Sequence, residues 1–169
     1  LRQMPPGPTD FLFPTALMLR EGLLREANAA IQKFPPKVVP RLIQPWPVEL
    51  VRGELLLAQK QTAKAEPLLR KGMEGEGALA WFTYFFDAES LAQAYERQGN
   101  LPAALQVLER ASAKRASVDF RVTMSGAPFW MQDQLDLARL YLRLGRVQDA
   151  QKIENELRKL LTYADPDFP

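Results

Sequence analysis

The sequence predicts an all-α fold, a solenoid of about four antiparallel helix hairpins. Three observations carry that expectation. Small residues recur twelve positions apart with a glycine between them: Ala92 and Ala104 around Gly99, Ala138 and Ala150 around Gly145. The stretches beside those glycines repeat apolar residues at the three-and-four spacing of one helical face, as Phe85, Ala88, Leu91, Ala92 and Tyr95 do. No stretch alternates with period two for long enough to make a convincing strand.

The elements follow in order. "LRQMPPGPTD" at 1–10 holds three prolines and a glycine and reads as a linker. A helical pattern runs from Phe13 to about Phe34, broken near Gly22. In "FPPKVVPRLIQPWP", Pro35, Pro36, Pro40, Pro45 and Pro47 leave no room for a regular helix. Helical periodicity returns from Val48 to Met73, interrupted around "QKQT", and "EGEG" at 74–77 breaks it. Ala78 to Gln98 is one long helix, stopped by Gly99 and Asn100. Pro102 suits the first turn of the next, which runs to about Ser117. After the loop "VDFRVTMSGA", Pro128 opens a helix that ends near Gly145, and the last helix spans about Val147 to Thr162. The repeat domain is therefore 11–162, followed by a tail over 163–169.

Gly53 and Ala65 are also twelve apart, and Gly22 precedes Ala27 by the five residues that separate Gly99 from Ala104 and Gly145 from Ala150. Four units emerge, anchored at Ala27, Ala65, Ala104 and Ala150. Two antiparallel helices joined by a tight turn approach closely only where the crossing side chains are small. The first small residue (Gly53, Ala92, Ala138) and the second (Ala65, Ala104, Ala150) are expected to face each other there. Tyr95 and Tyr141 each lie three residues beyond the first small residue, placed to stack on the neighbouring hairpin. No unit buries its apolar face alone, so the units stack.

"LAQAYERQGNLPAAL" and "LARLYLRLGRVQDA" resemble the tetratricopeptide repeat, whose first helix carries L-A-x-x-Y, whose turn carries glycine and whose second helix begins with alanine. "RGELLLAQKQTAKAEPLL" departs at Lys60, in place of the turn glycine, and at Arg52. "FPTALMLREGLLREANAAI" departs at Pro14 and Thr15, and Glu154 departs from the family's apolar preference in the last helix. The resemblance implies a right-handed solenoid that binds a peptide or a helix, a protein-interaction or scaffolding module. The C-terminal end, through "YADPDFP", is similar to the closing repeat of bacterial multidomain serine/threonine kinases and winged-helix regulators. That implies an alternative role as a sensory or dimerisation segment, cytoplasmic or extracytoplasmic, of a membrane-anchored protein. The start at Leu1 fits a segment of a longer chain.

In such arrays the first helices line a concave groove. Carried over residue by residue, the groove positions hold Leu12, Ala16, Leu19 and Arg20, then Leu50, Glu54, Leu57 and Ala58. The third unit supplies Phe86, Glu89, Gln93, Glu96 and Arg97, and the fourth Gln132, Leu135, Arg139, Leu142 and Arg143. An acidic end of the partner is expected against Arg139 and Arg143. The Lys, Asn and Arg clamp with which some members grip a terminal carboxylate is absent from these positions.

Other features carry two readings each. "WFTYFF" at 81–86 packs on the Pro-rich segment and Trp46, or forms an aromatic patch for a partner or a second copy, which makes a homodimer possible. "VDFRVTMSGAPFW" is a connector pinned by Phe129 and Trp130, or a functional loop. The basic runs Arg110, Lys114, Arg115, Arg121 and Arg139, Arg143, Arg146, Lys152 read as solvated faces, interrupted by Glu109, Asp119 and Asp149. A net charge of +2 and a pI near 9.0 are too slight a bias to indicate nucleic acid or a membrane surface, and no apolar run approaches a membrane helix. The chain has neither histidine nor cysteine. With no phosphate loop and no metal spacing, only carboxylate pairs such as Asp133 with Asp136, or Glu154 with Glu156, remain for chemistry. No active site, cofactor or metal is expected in this segment.

Overall fold

The computed structural model describes residues 14–15, 18–19, 21–33, 46–74, 78–113 and 126–162. Among these residues there are seven helices and no strand: α1 (Leu24–Lys33), α2 (Trp46–Ala58), α3 (Thr62–Met73), α4 (Ala78–Arg97), α5 (Leu101–Ala113), α6 (Gly126–Arg143) and α7 (Val147–Leu161). Helical residues at 14–15 and 18–19 precede the turn into α1. The linker 1–10, Arg20, the proline-rich stretch 34–45, the loop 114–125 and the tail 163–169 lie outside the described residues. So do the side chains of "WFTYFF", which falls within α4. Two helices begin two residues earlier than expected, and one of them is α6, which starts at Gly126 ahead of Pro128. α2 begins at Trp46 and takes Pro47 into its first turn, where a missing N–H costs nothing.

The four turns are built alike. The turn residue has its φ in the left-handed region: Gly22 at 74°, Lys60 at 62°, Gly99 at 77° and Gly145 at 74°. At each, the amide of the following residue reaches back five positions: Leu23 to Met18 (2.8 Å), Gln61 to Leu56 (2.8 Å), Asn100 to Tyr95 (2.9 Å) and Arg146 to Tyr141 (2.8 Å). The turn residue's own amide reaches back three, to Leu19, Leu57, Glu96 and Leu142. This is the Schellman closure of a helix C-terminus. The residue that completes it also opens the next helix. The carbonyls of Leu23, Gln61, Asn100 and Arg146 accept from the amides of Ala27, Ala65, Ala104 and Ala150. Asn100 adds a side-chain cap, its Oδ1 accepting from the Ala103 amide at 3.2 Å.

The anchor alanines therefore sit at one fixed helical position, and all four are buried. Facing them the geometry departs in detail from the sequence expectation. A Cβ added to Gly53 would lie 2.9 Å from Leu69 Cδ2 and 3.3 Å from Leu68 Cβ. Gly53 thus receives the helical turn beyond Ala65. Leu69 is wholly buried in that gap, which explains why no side chain is present at 53. Consecutive helices pack against one another from α1·α2 through α6·α7. The first helices α2, α4 and α6 also touch in sequence, as α2·α4 and α4·α6. One core of Leu50, Leu69, Leu91, Leu108, Leu140 and their neighbours runs through the stack.

Lys60 is exposed and holds a left-handed conformation that costs a residue with a Cβ about 1–2 kcal/mol. Lys60→Gly should therefore raise stability by about 0.5–1 kcal/mol, the relief being partly offset by the freer unfolded chain. Gly99→Ala should lower it by about 1 kcal/mol through the same φ, since open space surrounds the added Cβ. Urea denaturation of the two variants checks both signs.

Candidate functional site: the concave face

The first helices α2 and α4 and the residues before α1 enclose an open cleft of about 270 Å³. Leu19, Glu54, Leu57, Ala58, Glu89, Ser90, Gln93 and Arg97 line it. Seven of these eight occupy groove positions of the sequence reading, and Ser90 is the addition. Glu54 and Gln93 each follow the first small residue of their hairpin, so a single register aims both into the same space. Arg97 donates to the Leu57 carbonyl at 2.7 Å and ties α4 to the C-terminal turn of α2. Gln93 Nε2 donates to Glu89 Oε1 at 3.4 Å.

Leu50 is a correction. It is fully buried in the core, and its Cδ1 would lie 3.4 Å from a Cβ at Gly72 of α3. It points away from the groove. Arg139 and Arg143 do not line the cleft. Both reach Glu96 on α4, Arg139 at 2.7 Å, and Arg139 also meets Asp136 at 3.2 Å. Two carboxylates balance the two guanidiniums, so an acidic partner end is not the natural complement of this pair. Around them Leu135 and Leu142 are 53% and 56% exposed. Among the described residues no further first helix stacks on α6 to cover them.

The junctions between hairpins carry polar clusters. Tyr95 donates its hydroxyl to Glu66 Oε1 at 3.2 Å and accepts from Arg70 at 2.6 Å, while Arg70 also pairs with Glu66. Tyr141 donates to Glu109 at 2.8 Å, and Arg146 meets Glu109 at 3.3 Å while its guanidinium lies 4.4 Å above the tyrosine ring. The same three groups bind α3 to α4 and α5 to α6, although the arginine comes from the glutamate's own helix in one case and from the following turn in the other. Burial first, then the bond to Glu109, pushes the Tyr141 phenol up to about 12. Burial likewise raises Tyr95.

Arg146 and Lys152 pair with Asp149, so all four cations of the second basic run have acidic neighbours. Asp133, half of a proposed carboxylate pair, is fully buried, while Asp136 is engaged with Arg139. Asp87 is equally buried and stands five residues before Ala92, as Asp133 does before Ala138. The sequence reading missed this repeated buried aspartate, whose only signal was that shared offset. Ser112 Oγ donates to Gln134 Oε1 at 3.1 Å across α5 and α6. Among the described residues no group of acidic side chains is arranged to hold a metal, and no helix is long and apolar enough to cross a membrane.

No family model matches the chain. No curated protein matches it. Among solved structures it is similar to a putative kinesin light chain of Podosopora anserina with nearly identical TPR-like repeats. The identity is 15%, over 90% of this chain and 93% of that one, with a TM-score of 0.40. "YADPDFP", which carries the likeness to kinase and regulator repeats, lies outside the described residues.

Two consequences are measurable. The fold keeps the Tyr141 proton up to about 12, whereas the unfolded chain releases it near the ordinary tyrosine value of 10.0. The contribution of this hydroxyl is therefore complete below pH 10 and is lost as pH rises toward 12, where the unfolded state binds fewer protons. Tyr141→Phe should flatten the alkaline fall in stability by up to one proton, read from denaturation curves across pH with phenolate absorbance as the count. Separately, Arg139→Glu with Arg143→Glu would gather like charges around Glu96 and Asp136. A loss of about 1–2 kcal/mol at low ionic strength, shrinking with added salt, is expected in thermal melts.

Proposed function

We propose that this chain is a protein-interaction module whose concave face, built by α2, α4 and α6, binds an extended peptide or a helix. The observation that supports this best is the convergence of side chains from three consecutive hairpins on one open cleft. The hairpins place their first helices side by side on that face. The second helices lie on the other side, where they carry the junction glutamates Glu66 and Glu109. A mixed lining, apolar at Leu19, Leu57 and Ala58 and polar at Glu54, Ser90 and Gln93, suits a segment with several side chains to seat. Leu135 and Leu142 extend the face beyond the cleft with apolar surface. We assign it no catalytic step.

A random dodecapeptide display library selected on the whole chain tests the reading. Selected peptides should slow amide hydrogen exchange in α2 and α4. Ala58→Trp, which fills the mouth of the cleft from a half-buried position, should weaken them by about tenfold or more with little change in the melt. Peptides that protect only α3, α5 or α7, or that ignore Ala58→Trp, would count against it.

A further inference from the structure

We propose that the joint between the α4–α5 and α6–α7 hairpins is an ionic hinge. Glu96 clasps it on the side of the first helices, and it opens there when salt screens the clasp. The inference concerns the stack itself and does not rest on the groove reading above. Glu96 belongs to the last turn of α4, and two arginines of α6, four residues apart on one helical face, converge on it. Arg139 meets Oε1 at 2.7 Å and Arg143 meets Oε2. Each oxygen holds its own guanidinium, so loss of the one carboxylate releases both. The Glu96 side chain is 12% exposed, whereas those of Arg139 and Arg143 are 52% and 47% exposed. Salt therefore reaches the clasp from the arginine side.

The contacts between α5 and α6 hold the same joint in a different way. Tyr141 of α6 is buried and donates its hydroxyl to Glu109 of α5 at 2.8 Å. Ser112 of α5 donates to Gln134 of α6 at 3.1 Å. Both bonds are partly buried and of contact length, so salt screens them much less than half-exposed charges. Arg146 adds an exposed ion pair to Glu109, but the Tyr141 bond does not need it. The two helices also share the apolar core, where Leu108 and Leu140 are wholly buried, and apolar burial is not screened by salt. Screening thus loosens the α4·α6 side of the joint and spares the α5·α6 side. The α6–α7 hairpin then tilts about its contact with α5, and α6 swings away from α4.

The chain has no cysteine, so pairs of introduced cysteines carry spin labels cleanly, and electron–electron double resonance reads the distance between them. Arg52→Cys on α2 with Gln132→Cys on α6, both at exposed positions, reports the spread of the first helices. Arg52→Cys with Gln98→Cys, just beyond α4, reports the neighbouring α2·α4 joint. Raising sodium chloride to about 1 M, where the screening length falls to about 3 Å, should lengthen the 52–132 distance by about 2 Å and broaden its distribution. Glu96→Gln should give the longer distance already at low salt, leave the 52–98 distance unchanged and remove most of the salt response. Arg139→Gln with Arg143→Gln should match it, and the triple variant should add nothing further. A 52–132 distance that ignores Glu96→Gln, or a salt response of equal size in that variant, overturns the hinge. Should Glu96→Gln fold poorly, the arginine pair decides the matter by the same two criteria.

Discussion

One left-handed residue per hairpin sets the geometry on which the rest of the stack depends. At Gly22, Lys60, Gly99 and Gly145 the positive φ turns the helix end back on itself, and the next amide bonds five residues behind. That next residue is already the cap of the following helix, so no slack separates the two. The fifth residue after the turn then falls in the first full turn of the new helix, against its partner. This is why the alanine follows the glycine at a constant offset of five. Any larger side chain there would prise apart a hairpin whose other dimensions are fixed by main-chain bonds.

Main-chain constraints of this kind are local, and so they were legible in the sequence. The four anchors, the seven described helices and seven of the eight described residues that line the cleft follow from offsets within a single hairpin. What the sequence concealed depends on neighbours. Lys60 stands where the repeat register calls for a glycine, but the residue type itself does not announce a positive φ, and the cost of a Cβ there is small enough for the surrounding hairpin to impose it. Leu50 shares a groove offset with Glu89 and Leu135, yet the approach of α3 at Gly72 draws it into the core. Arg139 and Arg143 look like free cations until Glu96 of another hairpin is placed beside them. Side-chain partners across hairpins are set by the register of stacking, which no spacing within one hairpin encodes.

The stack divides its polar interactions between two sides. The tyrosines of α4 and α6 reach to glutamates on the second helix of the hairpin before. The arginines of α4 and α6 bridge first helix to first helix, Arg97 to α2 and Arg139 and Arg143 to α4. Such half-exposed pairs add little stability each. They resist relative sliding of hairpins, because a shift of register breaks each of them at once. A concave surface assembled from separate hairpins needs that fixity if side chains from several of them are to meet one ligand.

The α6–α7 hairpin differs in one respect from the hairpin before it. α5 packs against both α4 and α6, and it buries Leu105 and Leu108 as well as Ala104, Val107 and Ala111. α7 lies 46 residues on by the anchor alanines, 104 against 150. It keeps the counterpart set Ala150, Ile153 and Leu157 buried. At the places of Leu105 and Leu108 it carries Gln151 and Glu154, both exposed. The departure of Glu154 from the repeat pattern is thus a change of surface: the face that would receive another hairpin is polar, and Arg158 at 2.7 Å further engages its carboxylate. On α6, by contrast, Leu135 and Leu142 leave apolar surface exposed on a first helix, so the two helices of this hairpin differ in the character of what they show to solvent.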